Sequence, residues 1–168
     1  MQTNQTVSGS MSMPVLTVGP DAKVQQVLAL ADSNGVHHFP IVADGKLVGI
    51  VCTCDLQELS AEAKVMQVAW RFVVTVPLDS MLIDAARLMA LHGVGSVVVM
   101  NEGRVGGIVT REDCVRAAPE LGQLLSDARC AACGTRFHLR PGPDGHCICQ
   151  DCRARARDGA WLELGGGG

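Results

Sequence analysis

A duplication governs this sequence. Residues Thr17 to Leu56 align without a gap on Thr75 to Cys114 at a constant offset of 58, with eleven identities. These are Thr17/Thr75, Val18/Val76, Asp21/Asp79, Leu30/Leu88, Gly35/Gly93, Val36/Val94, Gly45/Gly103, Gly49/Gly107, Ile50/Ile108, Val51/Val109 and Asp55/Asp113. A gapless match of this kind means one supersecondary unit written twice, each copy needing a neighbour to bury its apolar face. The stretch GIVCTCD (49–55) returns as GIVTRED (107–113), and each ends in an aspartate for which a buried strand has no use.

Both copies have the same grammar. An apolar strand, PVLTV or FVVTV, precedes Asp21 or Asp79, which is expected to cap a helix. That helix carries Val24, Val27, Leu28 and Ala31, or Leu82, Ala85, Ala86 and Met89, at the spacing of one buried face. Gly35 or Gly93 closes it as a C-cap. Two strands follow, HHFPIV and KLVGIV or GSVVVM and RVGGIV, joined through Asp44-Gly45 or Glu102-Gly103. A second helix is expected from Asp55 or Asp113. The predicted fold class is α/β: two βαββα units packed sheet against sheet about a pseudo-twofold axis, with two related clefts.

This order of elements, with GVHHFPIVADGKLVGIVCTCDL and GVGSVVVMNEGRVGGIVTREDC, resembles the cystathionine-β-synthase (CBS) domain, and the tandem arrangement resembles a CBS pair or Bateman module. The resemblance implies an adenosine nucleotide as regulatory ligand: AMP, ADP, ATP, S-adenosylmethionine or a signalling dinucleotide. It also implies that Thr110 contacts phosphate and Asp113 holds the ribose diol. A helix start presents unpaired N–H groups to an anion, and one carboxylate accepts from two hydroxyls. Thr110 to Asp113 is equally a capping box, which many unrelated helices use. In the first copy Asp55 is kept, but Cys52 replaces the hydroxyl, and a thiol is the weaker donor. Cys52 and Cys54 read as an inert strand end or as a redox pair. His37 and His38 stand where family members often carry a His-Arg pair, and Arg111 adjoins Thr110; these three are further phosphate contacts on this reading. The family resemblance also implies a homodimer, with apolar positions around Val65, Met66 and Val68 and the helices from Asp55 and Asp113 supplying the contact.

Five of the eight cysteines fall in CAACGTRFHLRPGPDGHCICQDC (130–152). Cys130 with Cys133, and Cys149 with Cys152, form two CxxC turns whose four thiolates suit one tetrahedral zinc ion. The segment resembles a zinc ribbon with Phe137, Trp161 and Leu162 as its small core. Iron is the alternative metal, and Cys147 competes with Cys149 in CICQDC. Arg153, Arg155 and Arg157 alternate, as along a strand edge facing phosphates or solvent.

Composition narrows the function classes. Aromatic content is 3% with no tyrosine, leaving few stacking platforms for single-stranded nucleic acid. Fourteen Lys plus Arg against 17 Asp plus Glu give a net charge of -3, too little positive charge for general polyanion binding. No run reaches the roughly 18 to 20 apolar residues of a membrane span, and MQTNQTVSGS lacks the blocks of an export signal; a cytoplasmic protein without membrane partner is expected. No Ser/His/Asp set or phosphate-cradling glycine loop appears, so a non-enzymatic sensor is expected. Its expected division is a disordered leader (1–12), repeat 1 (13–69), repeat 2 with a connecting helix (70–126), a zinc ribbon (127–164) as output or assembly element, and a flexible tail (165–168). Two other readings stand beside it: a regulator whose ribbon binds DNA, RNA or a protein on a CBS dimerisation scaffold, and a structural adaptor with empty clefts.

Overall fold

A computed structural model of the chain describes residues 5–136, 139–141 and 147–157. The first copy comprises α1 (Val24–Asn34), the antiparallel hairpin β1 (His38–Ala43) and β2 (Lys46–Cys52), and the short α2 (Thr53–Leu56). In the second, β3 (Thr75–Pro77) pairs parallel with β4 (Ser96–Asn101), which pairs antiparallel with β5 (Arg104–Thr110); α3 (Leu82–His92) lies between β3 and β4. Helices α4 (Arg111–Ala117) and α5 (Leu121–Ser126) follow.

Each copy owns a core. Val24, Val27 and Ala31 of α1 pack with Phe39, Ile41 and Val51, while Leu82, Ala85, Ala86 and Met89 of α3 pack with Val97, Val99 and Val109. These are the helix faces that the apolar spacing predicts. Both helices end on a left-handed glycine, Gly35 and Gly93, each with φ 64°. Asp44-Gly45 and Glu102-Gly103 turn the two hairpins with positive φ at both residues, the backbone that a tight two-residue hairpin demands.

Several expectations are corrected. Neither Asp21 nor Asp79 is an N-cap; the caps are Lys23 and Met81, and Asp21 pairs instead with Lys64. The first strand of copy one shrinks to a single bridge between Val18 and Ile41. The reason lies in one position: Leu78 N–H donates to the Met100 carbonyl at 3.1 Å, and its equivalent is Pro20, which has no N–H to donate. The second helices begin at Thr53 and Arg111, which places Asp55 and Asp113 in the first turn rather than at its start.

The largest correction concerns residues 5–12, which are not a disordered leader. The segment that precedes each copy packs on the other. Val7 is fully buried in the core of copy two and its equivalent Val65 in the core of copy one. Val7 N–H donates to Ser80 O at 2.9 Å, and Val65 N–H to Ala22 O at 3.0 Å. Ser12 bridges Ile108, and Trp70 bridges Ile50, again related by the offset of 58. This exchange explains the repeated glycines of the two GIV stretches: a side chain at Gly49 would meet the Trp70 carbonyl at 3.1 Å, and one at Gly107 would collide with Met11. It also removes Val65 from any dimer contact.

After α5 the chain forms a short hairpin, β6 (Leu139–Pro141) with β7 (Cys147–Cys149), and then helix α6 (Gln150–Arg157). The described residues thus show one hairpin followed by a helix, and Arg153, Arg155 and Arg157 lie on that helix, not along the expected strand edge. Phe137, Trp161 and Leu162 lie outside the described residues. Among the described residues, no helix is long and apolar enough to cross a membrane.

Candidate functional site

The two copies enclose two hollows related by the same offset. The larger, about 600 Å³, is lined by Ser12, Pro14, His37, His38, Thr110 and Asp113 among others. The smaller, about 100 Å³, is lined by Trp70, Phe72, Ser96, Cys52 and Asp55. Position by position these walls are equivalents: Ser12 answers to Trp70, Pro14 to Phe72, His38 to Ser96, Thr110 to Cys52 and Asp113 to Asp55. His38 lines both hollows. A cleft that holds a small organic ligand typically runs from about 300 to 1,000 Å³, so one hollow is large enough and the other is filled.

At the open cleft, Thr110 and Asp113 form a complete capping box. Asp113 Oδ2 accepts from Thr110 N at 2.9 Å and from Thr110 Oγ1 at 2.7 Å, and Asp113 N–H donates back to Thr110 Oγ1 at 3.2 Å. Asp113 is only 5% exposed, yet it lines the cavity. Its second oxygen, Oδ1, meets Nη1 of Arg116 at 3.2 Å. The Arg116 side chain is 67% exposed, and an ion pair to so exposed a partner is weakly held. Burial, reinforced by the adjacent Asp113 carboxylate, pushes the neighbouring Cys114 thiol up to about 11, so it is a core residue and not a nucleophile. The capping function and the cavity-lining position therefore coexist in one aspartate.

Arg111 has a different employment. Its Nε donates to Val94 O at 3.0 Å and its Nη1 to Leu125 O at 3.2 Å. It touches the open hollow but ties copy two to α5. His37 Nδ1 lies 3.3 Å from Thr53 Oγ1.

At the closed cleft no such box exists. Cys52, the N-cap of α2, makes no side-chain cap bond, and Asp55 Oδ2 instead accepts from Trp70 Nε1 at 3.0 Å. Cys52 and Cys54 place their sulfurs 2.6 Å apart. Cation–π contact puts the Arg153 guanidinium carbon 3.8 Å from the centroid of a Trp70 ring. Trp70 is not singled out by the sequence, because its equivalent is Ser12 and both precede the aligned repeat that begins at Thr17 and Thr75.

The sulfurs of Cys130, Cys133, Cys149 and Cys152 lie within 4.8 Å of one another, and those of Cys133 and Cys149 are 3.7 Å apart. Four thiolates about 2.3 Å from a tetrahedral ion sit roughly 3.8 Å from each other, so the donor set fits such a centre. Both turns are shaped for it: Gly134, with φ 73°, lets its N–H return to Cys130 O at 2.8 Å, and Cys152 N–H points at Cys149 Sγ at 3.4 Å. Burial pushes Cys130 up, but backbone donors from Cys149, Cys133 and Ala132 outweigh it and bring the thiol down to about 6. Burial first, and then hydrogen bonds with Cys133, Cys149 and Cys130, drive the Cys152 thiol up to about 12. Cys147 is not in the cluster. A side chain on Gly93 would collide with its sulfur, and burial pushes its thiol up to about 11, so it docks the C-terminal module on copy two.

Comparison with known proteins places these features. A model of the CBS domain matches residues 7–62 and 65–120, more than half of the chain and in register with the exchanged segments. An uncharacterized protein of Methanocaldococcus jannaschii is 35% identical over 118 residues, covering 68% of this chain and 44% of the relative. A CBS domain-containing protein of Dictyostelium discoideum is 30% identical over 122 residues, covering 61% of this chain and 83% of the relative. The chain spans 44% and 36% of two archaeal relatives that it matches. Among solved structures, the CBS domain pair of protein MJ0100 in complex with 5′-methylthioadenosine and S-adenosyl-L-methionine has a TM-score of 0.64 at 27% identity, covering 69% of this chain and 97% of that one. CBSX2 in complex with AMP has a TM-score of 0.62 at 27% identity, covering 71% and 99%. With two matched copies, interlocked lead-in segments and paired clefts, the chain belongs to the CBS domain family.

Proposed function

We propose that this chain is a regulatory module that binds one adenosine-containing ligand in the open cleft, with a structural zinc ion held by Cys130, Cys133, Cys149 and Cys152. The observation that carries the reading is the hollow of about 600 Å³ walled by both copies, with Thr110, Asp113, His37 and His38 on its surface. In related structures with 27% identity the CBS pair holds S-adenosyl-L-methionine and 5′-methylthioadenosine, or AMP.

Asp113 divides its labour on this reading. Oδ2 keeps the helix capped, while ribose hydroxyls replace the exposed Arg116 at Oδ1, and the Thr110 hydroxyl and the two histidines face the phosphate. The apolar walls, Val15, Leu16 and Val36, flank the base. A ligand that bridges both copies favours one relative arrangement of them, and that population shift is the signal. Zinc supplies charge compensation and a cross-link; four thiolates leave it no open position for catalysis. The copies of this chain pair as a homodimer on the same reading, supported by the apolar Val115 of α4, which is 41% exposed.

The test is thermal unfolding of the intact protein with AMP, ADP, ATP and S-adenosylmethionine, alongside elemental analysis. A ligand at a hundredfold excess over its Kd adds about 2.7 kcal/mol to stability, so a clear rise in Tm with one of the four and one zinc per chain are expected. No shift with any of them would sink the nucleotide reading, and absence of zinc would sink the metal reading separately.

A further inference from the structure

The cysteine module reaches the closed cleft at two places: Cys147 packs against Gly93, which lines it, and Arg153 lies over Trp70, which fills it. Trp70 is anchored through its backbone, which exchanges hydrogen bonds of 2.8 and 3.0 Å with Ile50. Its indole is what occupies the space that Ser12 leaves empty in the other copy. One edge of the indole donates to Asp55 at 3.0 Å, and a ring face is covered by Arg153 at 3.8 Å. Arg153 follows Cys152 directly and sits in the first turns of α6, so its position is set by the four-cysteine cluster. Phe72, the second plugging residue, packs its ring 5.3 Å from that of His92.

We propose that Arg153 is a latch: it clamps Trp70 over Asp55 and keeps the first cleft closed to ligand for as long as the cysteine module is folded and docked. Release of Arg153 lets the indole swing off Asp55, exposing a carboxylate at the position that Asp113 occupies in the open cleft. By thermodynamic reciprocity, a ligand that enters the first cleft weakens the docking of the module by the same factor as the module weakens the ligand. The latch itself stands on geometry; that the released cleft takes an adenosine phosphate rests on the functional reading above.

The test uses the full-length chain with Trp161→Phe, which leaves Trp70 as its sole tryptophan. In this background Arg153→Ala is expected to shift Trp70 emission to the red, Arg153→Lys to shift it less, and extraction of the metal by a chelator to reproduce the larger shift. Zinc content measured on the two Arg153 variants reports that the module has folded. A contact of this kind between partly exposed groups is worth a two- to fivefold change in a binding constant, on the order of what exposed cation–π pairs contribute. Calorimetry with AMP should therefore show in Arg153→Ala a second, weak event, lost with Asp55→Asn, that stays below detection in the parent, where it is about two- to fivefold weaker. Unchanged emission in zinc-loaded Arg153→Ala overturns the latch. If the emission shifts but AMP binds in neither cleft, the latch holds and the nucleotide reading falls.

Discussion

The two clefts of this molecule have nearly the same walls and different contents. Four substitutions across the duplication account for the difference. Where the open cleft has Ser12, Pro14, Thr110 and His37, the closed one has Trp70, Phe72, Cys52 and Gly95. Two of these changes add bulk and two remove hydrogen-bonding or cationic capacity, while the aspartate is the same on both sides. On the proposed reading, the duplicated fold keeps one scaffold in both halves and leaves one cleft for a ligand while the other is filled. An aspartate at the right position in the repeat is not sufficient for a site: Asp113 is a cap with an oxygen left for exchange, and Asp55 is the acceptor of a plug.

The comparison breaks most severely if the plug is moved. Ser12→Trp with Pro14→Phe installs the contents of the closed cleft in the open one and is expected to weaken AMP binding by a hundredfold or more, read by calorimetry, since a cavity near 100 Å³ falls below the size of ligand pockets. Next in size is the exchange of lead-in segments. Val7→Ala and Val65→Ala each remove two buried methyl groups from equivalent sites, at a cost of about 2 kcal/mol apiece. For a chain of this size that lowers Tm by about 4 to 8 °C, and a loss for Val65→Ala alone would return residues 5–12 to the status of a loose leader. Asp113→Asn keeps the shape and the cap acceptor but discards the charge, and is expected to weaken AMP binding about tenfold, whereas Asp55→Asn leaves it unchanged. The smallest effect belongs to Thr110→Cys, which gives the open cleft the first copy's thiol and should weaken AMP binding about threefold.

How much of this the sequence discloses depends on what kind of signal each part leaves. The helix faces of α1 and α3, the glycine caps and the hairpin turns follow from local chemistry and read directly from the residues. So does the four-cysteine cluster, because CxxC spacing is itself the geometry. The lead-in exchange is a long-range pairing: along the offset of 58 its polar stretch retains one telling identity, Val7 with Val65, and the rest of MQTNQTVSGS looks like a tail. The short first strand of copy one turns on the missing N–H of Pro20, visible only once Leu78 is seen bonding Met100. The alternating arginines after Cys152 have the period of a strand yet lie on α6, because the cysteine cage and not the arginine spacing decides the backbone there. Trp70 was hidden for a simpler reason, since a residue that differs between copies carries no repeat signal at all.

The central claim is that one cleft per chain is open and its twin is sealed. Native mass spectrometry of the intact protein with saturating AMP counts this directly. One nucleotide and one zinc per chain are the predicted masses; two nucleotides per chain on the unmodified protein, or none, would contradict the account.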